Sequence, residues 1–242
     1  MQLYFIRHGQ SANNLLWDQT GSSKGRSVDA ELTQAGRKQA ELAARFLRRA
    51  NPSDAAREER DFYNAAGFGI THLYSSLMVR AVATGSVIAE TLDLPLVAWE
   101  DLHEVGGIYR EDAQTGERIG QPGTSRAYFE AHYPRLVFDG SGSCEVGWWN
   151  RPPEELEQAA VRAQRFLHDL MERHGEQDDR VAVVSHGAFY NTLLRAILKV
   201  GDEGNCWFIL NNTGISRFDF RNRRVELVYL NRLDHLPPDL IS

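Results

Sequence analysis

The sequence predicts an α/β fold in one large domain, on three observations. Short apolar runs of strand length alternate with segments whose apolar residues recur at helical spacing. Two of those runs end alike, each delivering a histidine followed by glycine, at Ile6-Arg7-His8-Gly9 and at Val184-Ser185-His186-Gly187. A length of 242 residues suits one such domain better than two small ones.

Residues 3–6 read as a short buried strand, an apolar run with aromatic and β-branched members. Thr33 is the expected N-cap of the first helix, along which Ala40, Ala43, Ala44 and Leu47 recur until Asn51-Pro52 ends it. The stretch 53–69 is polar and charged at first and reads as an exposed helical excursion without chemistry. Residues 70–74 are a second strand, and Val79, Val82, Ala83, Val87 and Ala89 mark a largely buried helix after it. Residues 94–99 give a third extended piece. Over 106–150 glycines, prolines, aromatics and arginines mix without a period, for longer than a compact domain leaves as plain loop, so a lid or insertion is expected there. Its aromatics Tyr109, Tyr128, Phe129, Tyr133, Trp148 and Trp149 either line a substrate entrance or form a satellite core. Arg110, Arg118, Arg126 and Arg135 are expected to be solvated. After Arg151-Pro152-Pro153 a strong helix puts Leu156, Ala160, Ala163, Leu167 and Leu170 on one stripe and closes at Gly175. Residues 181–184 are a fourth strand, and Leu193, Leu194, Ile197 and Leu198 belong to the helix behind it. Residues 215–220 and 225–230, split by Arg221-Asn222-Arg223-Arg224, predict a hairpin or paired edge strands.

Composition excludes several functions. A formal charge of −6 argues against a general nucleic-acid surface, which needs a basic face to neutralise phosphates. No apolar run approaches the roughly 18 residues of a membrane span. The start MQLYFIRHG has neither a basic leader nor a small-residue cleavage site, and Cys144 and Cys206 form no disulfide framework, so the expected compartment is the cytoplasm.

The ends of the strands carry the chemistry. In open α/β sheets the crevice beyond the carboxyl ends of the strands is where ligands bind, so both imidazoles can meet there. A third strand-to-helix junction supplies Arg80, and the piece ending near Trp99 is followed by His103-Glu104. Phosphoryl transfer through a histidine needs such a set. Guanidiniums bind phosphoryl oxygens bidentately, which suits Arg7 and Arg80. A neutral imidazole attacks phosphorus in line while a carboxylic acid protonates the departing alkoxide, which suits His8 and Glu104.

At these residues the chain resembles the histidine phosphatase superfamily, which includes the cofactor-dependent phosphoglycerate mutases. Arg7-His8-Gly9-Gln10-Ser11 with Asn14 is similar to the family's R-H-G-[EQ]-[ST]-x-x-N signature. Leu32-Thr33-x-x-Gly36-x-x-Gln39-Ala40, Ser76-x-x-x-Arg80-Ala81-x-x-Thr84, Leu102-x-Glu104 and Val184-Ser185-His186-Gly187 resemble its further motifs in order. The resemblance implies a phosphoglycerate mutase-like fold, a mixed and mostly parallel sheet flanked by helices. It implies His8 as the phosphorylated nucleophile, Arg7, Asn14, Arg80 and His186 as the pocket around the phosphoryl oxygens, and Glu104 as general acid and then base. Asn13 takes the place of Asn14 if the loop is shifted by one. The implied substrate is a small phosphorylated molecule; no metal or other cofactor is implied.

Departures from the family pattern choose among activities. A mutase is expected to carry a G-W-x-D type segment and an E-R-H-Y-G segment, where this chain has Gly25-Arg26-Ser27-Val28-Asp29 and Glu104-Val105-Gly106-Gly107-Ile108. Metal-independent phosphomonoester hydrolysis is therefore the expected function, with a phosphoglycerate mutase and a non-catalytic phospho-ligand binder as rivals. P-loop, dinucleotide and G-x-S-x-G fingerprints are absent. His8, His186, His103 and Glu104 could enclose a metal, but two arginines beside them would repel a cation.

Overall fold

In the computed structural model, residues 1–49, 61–112, 114–139, 146–200 and 206–242 are described. The strand-forming runs pair into one sheet of seven, in the order β6-β3-β2-β7-β1-β8-β9. These are β1 (Gln2–Arg7), β2 (His72–Ser75), β3 (Leu96–Ala98), β6 (Leu136–Val137), β7 (Arg180–Ser185), β8 (Ile215–Arg221) and β9 (Arg224–Arg232). Neighbours from β6 to β1 are parallel, and β8 and β9 add an antiparallel hairpin at one edge. The sheet is mixed and mostly parallel, as expected.

Alternation along β1 divides the core. Tyr4 and Ile6 face one side, against Phe46, Leu47, Val82 and Ile88 of α2 (Gln34–Leu47) and α3 (Val79–Leu92). Leu3 and Phe5 face the other side, against Ala163, Phe166, Leu170, Phe189 and Leu193 of α5 (Leu156–His174) and α6 (Gly187–Leu198). Central strands with helices on both faces have no solvated side, which is why they read as continuous apolar runs.

Pairing of β1 with β7 fixes the site. Leu3 lies opposite Val181, Ile6 opposite Val184 and Arg7 opposite Ser185, so the two His-Gly steps leave the sheet side by side.

Two expectations change. The excursion over 53–69 lies outside the described residues up to residue 60, and 61–69 forms turns rather than a helix: the Asp61 carboxylate accepts from the Ala65 and Ala66 amides, both at 2.8 Å. On α5 the buried face is Ala159, Arg162, Ala163, Phe166, Leu170 and His174, while Leu156 at its start is 55% exposed. Within 106–150 the described residues form β4 (Tyr109–Glu111) paired with β5 (Arg118–Gly120), then α4 (Arg126–His132) and β6, which extends the sheet beside β3. Trp148, Trp149 and Phe129 lie inside the main core rather than at an entrance. Of its arginines, Arg118 stacks over Tyr109, Arg126 pairs with Glu130 and Arg135 with Asp93. A further helix, α1 (Ala12–Thr20), was not expected. It has no buried residue and is held at its start by the Ser11 capping box.

Candidate active site

His8 follows β1 and His186 follows β7, and their ring centroids are 5.0 Å apart. His8 is 2% exposed and His186 is fully buried. His8 Nδ1 lies 2.7 Å from the Gly9 carbonyl. A carbonyl only accepts, so the proton sits on Nδ1 and Nε2 carries the lone pair. That lone pair accepts from Arg80 Nε at 3.1 Å. Burial, then the charges of Arg80 and Arg7, hold the His8 imidazole well below its ordinary titration range. The outcome is a neutral ring with its free nitrogen turned toward a guanidinium.

The loop that presents His8 depends on a contact of bare backbones. A Cβ on Gly9 would stand 2.4 Å from the Gly36 carbonyl oxygen, and one on Gly36 would stand 2.1 Å from that of Gln10. The glycines of the first two motifs are thus two halves of one packing contact. The Gly9 amide donates to Thr84 Oγ1 at 3.0 Å, and Thr84 donates in turn to the Arg80 carbonyl at 2.8 Å, which ties the His8 loop to α3.

Around the imidazoles two buried nitrogens lack a partner among the described residues. Arg7 gives Nη1 to the Leu210 carbonyl at 2.6 Å, while its Nε is buried without a partner among the described residues. His186 Nε2 meets Ser76 Oγ at 2.9 Å, and its Nδ1 is likewise buried and unpartnered. Arg80 is 7% exposed, and its nearest carboxylate, Asp29, is 3.9 Å away. Burial pushes both guanidiniums down and Asp29 up. Buried cationic donors with this little compensation fit an anion among them.

Glu104 is held at the start of α6. One carboxylate oxygen accepts from the Phe189 and Val105 amides at 2.9 Å each, and the other from Ala188 at 3.2 Å. Its charge is felt at both Arg7 and Arg80. Asn14, and not Asn13, is linked to the His8 loop, through Asn212. Asn14 Oδ1 accepts from the Ser11 amide, the Ser11 hydroxyl and Asn212 Nδ2, whereas Asn13 spends both ends of its amide on the Ser27 backbone.

All six expected residues are thus gathered beyond the carboxyl ends of β1, β2 and β7. Sequence reasoning missed their supports. Asn212 donates to the His8 carbonyl at 2.9 Å, and no motif marks it. Arg162, 3% exposed on α5, makes a two-pronged pair with Glu154 at 2.7 and 2.6 Å. It also donates to the carbonyls of Asp101 and His103, which lie just before Glu104 in the chain. An arginine on the buried face of an amphipathic helix was the available signal.

Known proteins resemble the chain over nearly its whole length. Residues 3–233 match the model of the histidine phosphatase superfamily (branch 1). The "Putative phosphoserine phosphatase 2" of Hydrogenobacter thermophilus is 29% identical over 243 residues, covering 97% of each chain. A 2,3-bisphosphoglycerate-dependent phosphoglycerate mutase 1 of Latilactobacillus sakei is 26% identical and covers 83% of this chain and 81% of its own. Among solved structures, a phosphoserine phosphatase from Entamoeba histolytica in complex with 3-phosphoglyceric acid superposes with a TM-score of 0.60 at 24% identity, over 98% of this chain and 99% of that one. With a match of that extent and the paired histidines at its centre, the chain belongs to the histidine phosphatase superfamily, branch 1.

Proposed function

We propose that this protein hydrolyses small phosphomonoesters through a phosphohistidine on His8, without a metal in the reaction. His8 Nε2 attacks phosphorus as the ester oxygen departs with a proton from Glu104. Water then attacks the phosphohistidine, Glu104 takes the proton, and inorganic phosphate leaves. Arg7, Arg80, Asn14 and His186 hold the phosphoryl oxygens, donors fixed in place before the charge develops. One observation carries the reading: a neutral histidine whose unprotonated Nε2 faces the Arg80 guanidinium, beside the buried and unpartnered Arg7 Nε. The β4–β5 hairpin acts as the lid. Its Tyr109 stacks under Arg26 at 4.2 Å, and Glu111 accepts from Ser23 Oγ at 3.1 Å, joining the hairpin to the loop after α1.

The test uses p-nitrophenyl phosphate and phosphoserine in excess EDTA. Turnover is expected, together with an acid-labile phosphoryl label on His8 after rapid mixing, and His8→Ala should abolish both. Activity that vanishes with the chelator and returns with a metal, or His8→Ala turning over at the parent rate, would defeat the reading. Supplying 3-phosphoglycerate with a bisphosphoglycerate primer separates the mutase alternative, which forms 2-phosphoglycerate without releasing phosphate.

A further inference from the structure

The end of the sheet remote from His8 carries a second constellation, unrelated to the phosphoryl site. His72 opens β2, His174 ends α5, and Asp179 immediately precedes β7. Three separate segments thus deliver two imidazoles and a carboxylate to one place. Asp179 Oδ2 lies 2.8 Å from His174 Nδ1, and Oδ1 lies 3.8 Å from His72 Nδ1. One ligand atom from each of the three falls within 4.8 Å of the others. We propose that His72, His174 and Asp179 bind a divalent transition-metal ion of the zinc or cobalt class, as a clamp on the fold and not as part of the reaction.

Ligand chemistry and spacing support this. Two nitrogens and one carboxylate oxygen are the donors of open zinc sites, at about 2.0–2.2 Å, which sets neighbouring ligands about 3.4 Å apart in a tetrahedron. The 2.8 Å contact must open and the 3.8 Å contact close by a few tenths of an ångström. There is room for this, since the His72 side chain is 42% exposed and that of Asp179 22%, and water can reach a fourth position.

The surroundings supply an independent indication. His174 Nε2 lies 2.9 Å from the hydroxyl of buried Tyr74. A metal-bound histidine almost always gives its second nitrogen to an oxygen that orients the ring. When the metal takes Nδ1, the proton now shared with Asp179 is carried on Nε2 and donated to Tyr74, a change of tautomer with no net loss of a proton. Of the neighbouring cations, Arg173 stacks on Trp99 at 4.3 Å, reaches Asp139 and lies close enough to Tyr74 and His174 for its charge to act on both, while Arg180 donates to the Phe68 carbonyl at 3.0 Å. Among the described residues, no guanidinium pairs with Asp179. The His72 and His174 rings stand 4.6 Å apart, and His72 lies too far from the carboxylate for a hydrogen bond. His72 Nδ1 is met by Thr71 Oγ1 at 2.9 Å, a half-exposed contact that a bridging cation would replace.

The test reads binding rather than turnover, so it stands or falls apart from the phosphatase reading. Metal-free protein is titrated with Co2+, followed by visible absorption, and with Zn2+ by calorimetry. One equivalent should bind and the melting temperature should rise. His72→Ala and Asp179→Asn should each weaken binding at least about tenfold. Exposed His72 makes its variant safe for folding, which a urea midpoint equal to that of the metal-free parent will verify. His8→Ala should bind as the parent does. No binding to the parent, full affinity in both site variants, or loss of binding in His8→Ala would each overturn the proposal.

Discussion

At the scale of single residues, the site combines a nucleophile kept neutral with cations kept underpaired. Arg80 does both: it faces His8 Nε2, and it heads the charges that depress the titration of His8 and His186. A lysine there keeps the charge and loses the planar fork. Arg80→Lys is therefore expected to lower kcat/KM about 10²-fold, the scale set by removing one fixed donor from a developing oxyanion, with kcat carrying most of the loss. Steady-state kinetics on an aryl phosphate checks this, and an unchanged kcat would remove Arg80 from the transition state. The charges were legible in the sequence because they sit in motifs. The Asn212 amide under His8 was not, since its role comes from β8 pairing antiparallel with β1 and not from any local spacing.

Between elements, two contacts decide whether those residues meet. The backbone contact of Gly9 with the Gln10–Gly36 region joins the His8 loop to the start of α2. In Gly36→Ala the new methyl would stand 2.1 Å from a carbonyl oxygen, so one loop must shift. Destabilisation of about 1–3 kcal/mol is expected, with a fall in kcat as His8 moves. Urea unfolding and turnover, measured on the same preparation, test both effects together. The second contact is the buried Arg162–Glu154 pair behind Glu104. Removing one partner strands the other, so Arg162→Met should cost about 3–5 kcal/mol. Arg162→Met combined with Glu154→Leu should regain much of that stability, yet kcat should stay low because the carbonyls of Asp101 and His103 lose their donor. If kcat returned along with stability, the pair would be structural only. Legibility at this scale followed burial. Parallel strands covered on both faces announce themselves as apolar runs, whereas α1, with no buried face, left no periodic signal. On α5 the stripe was displaced because Arg162 and Phe166, not Leu156, face the sheet.

For the whole molecule, the site draws on residues from Arg7 to Asn212, so the buried imidazoles link acid stability to the folded state as a unit. His8, His186, His103, His174 and His235 are all held below their ordinary titration range, chiefly by burial, and His235 is pushed down to about 4. In the unfolded chain each titrates near pH 6.5. Between that value and the lower folded one, the unfolded state binds protons that the folded state does not. The free energy of unfolding therefore rises with pH through this interval, by about 1.4 kcal/mol per pH unit for each histidine fully within it, and gains nothing further from them above it. Asp29 and Glu100, both raised by burial, work in the opposite sense, but two carboxyls do not outweigh five imidazoles. Stability is expected to be flat from about pH 7 to 8 and to fall steeply from about 6.5 toward 4. Urea midpoints across that range test it. A stability that held constant or improved on acidification would mean that these rings are solvated or already charged, and a charged His8 has no lone pair at Nε2 with which to attack phosphorus.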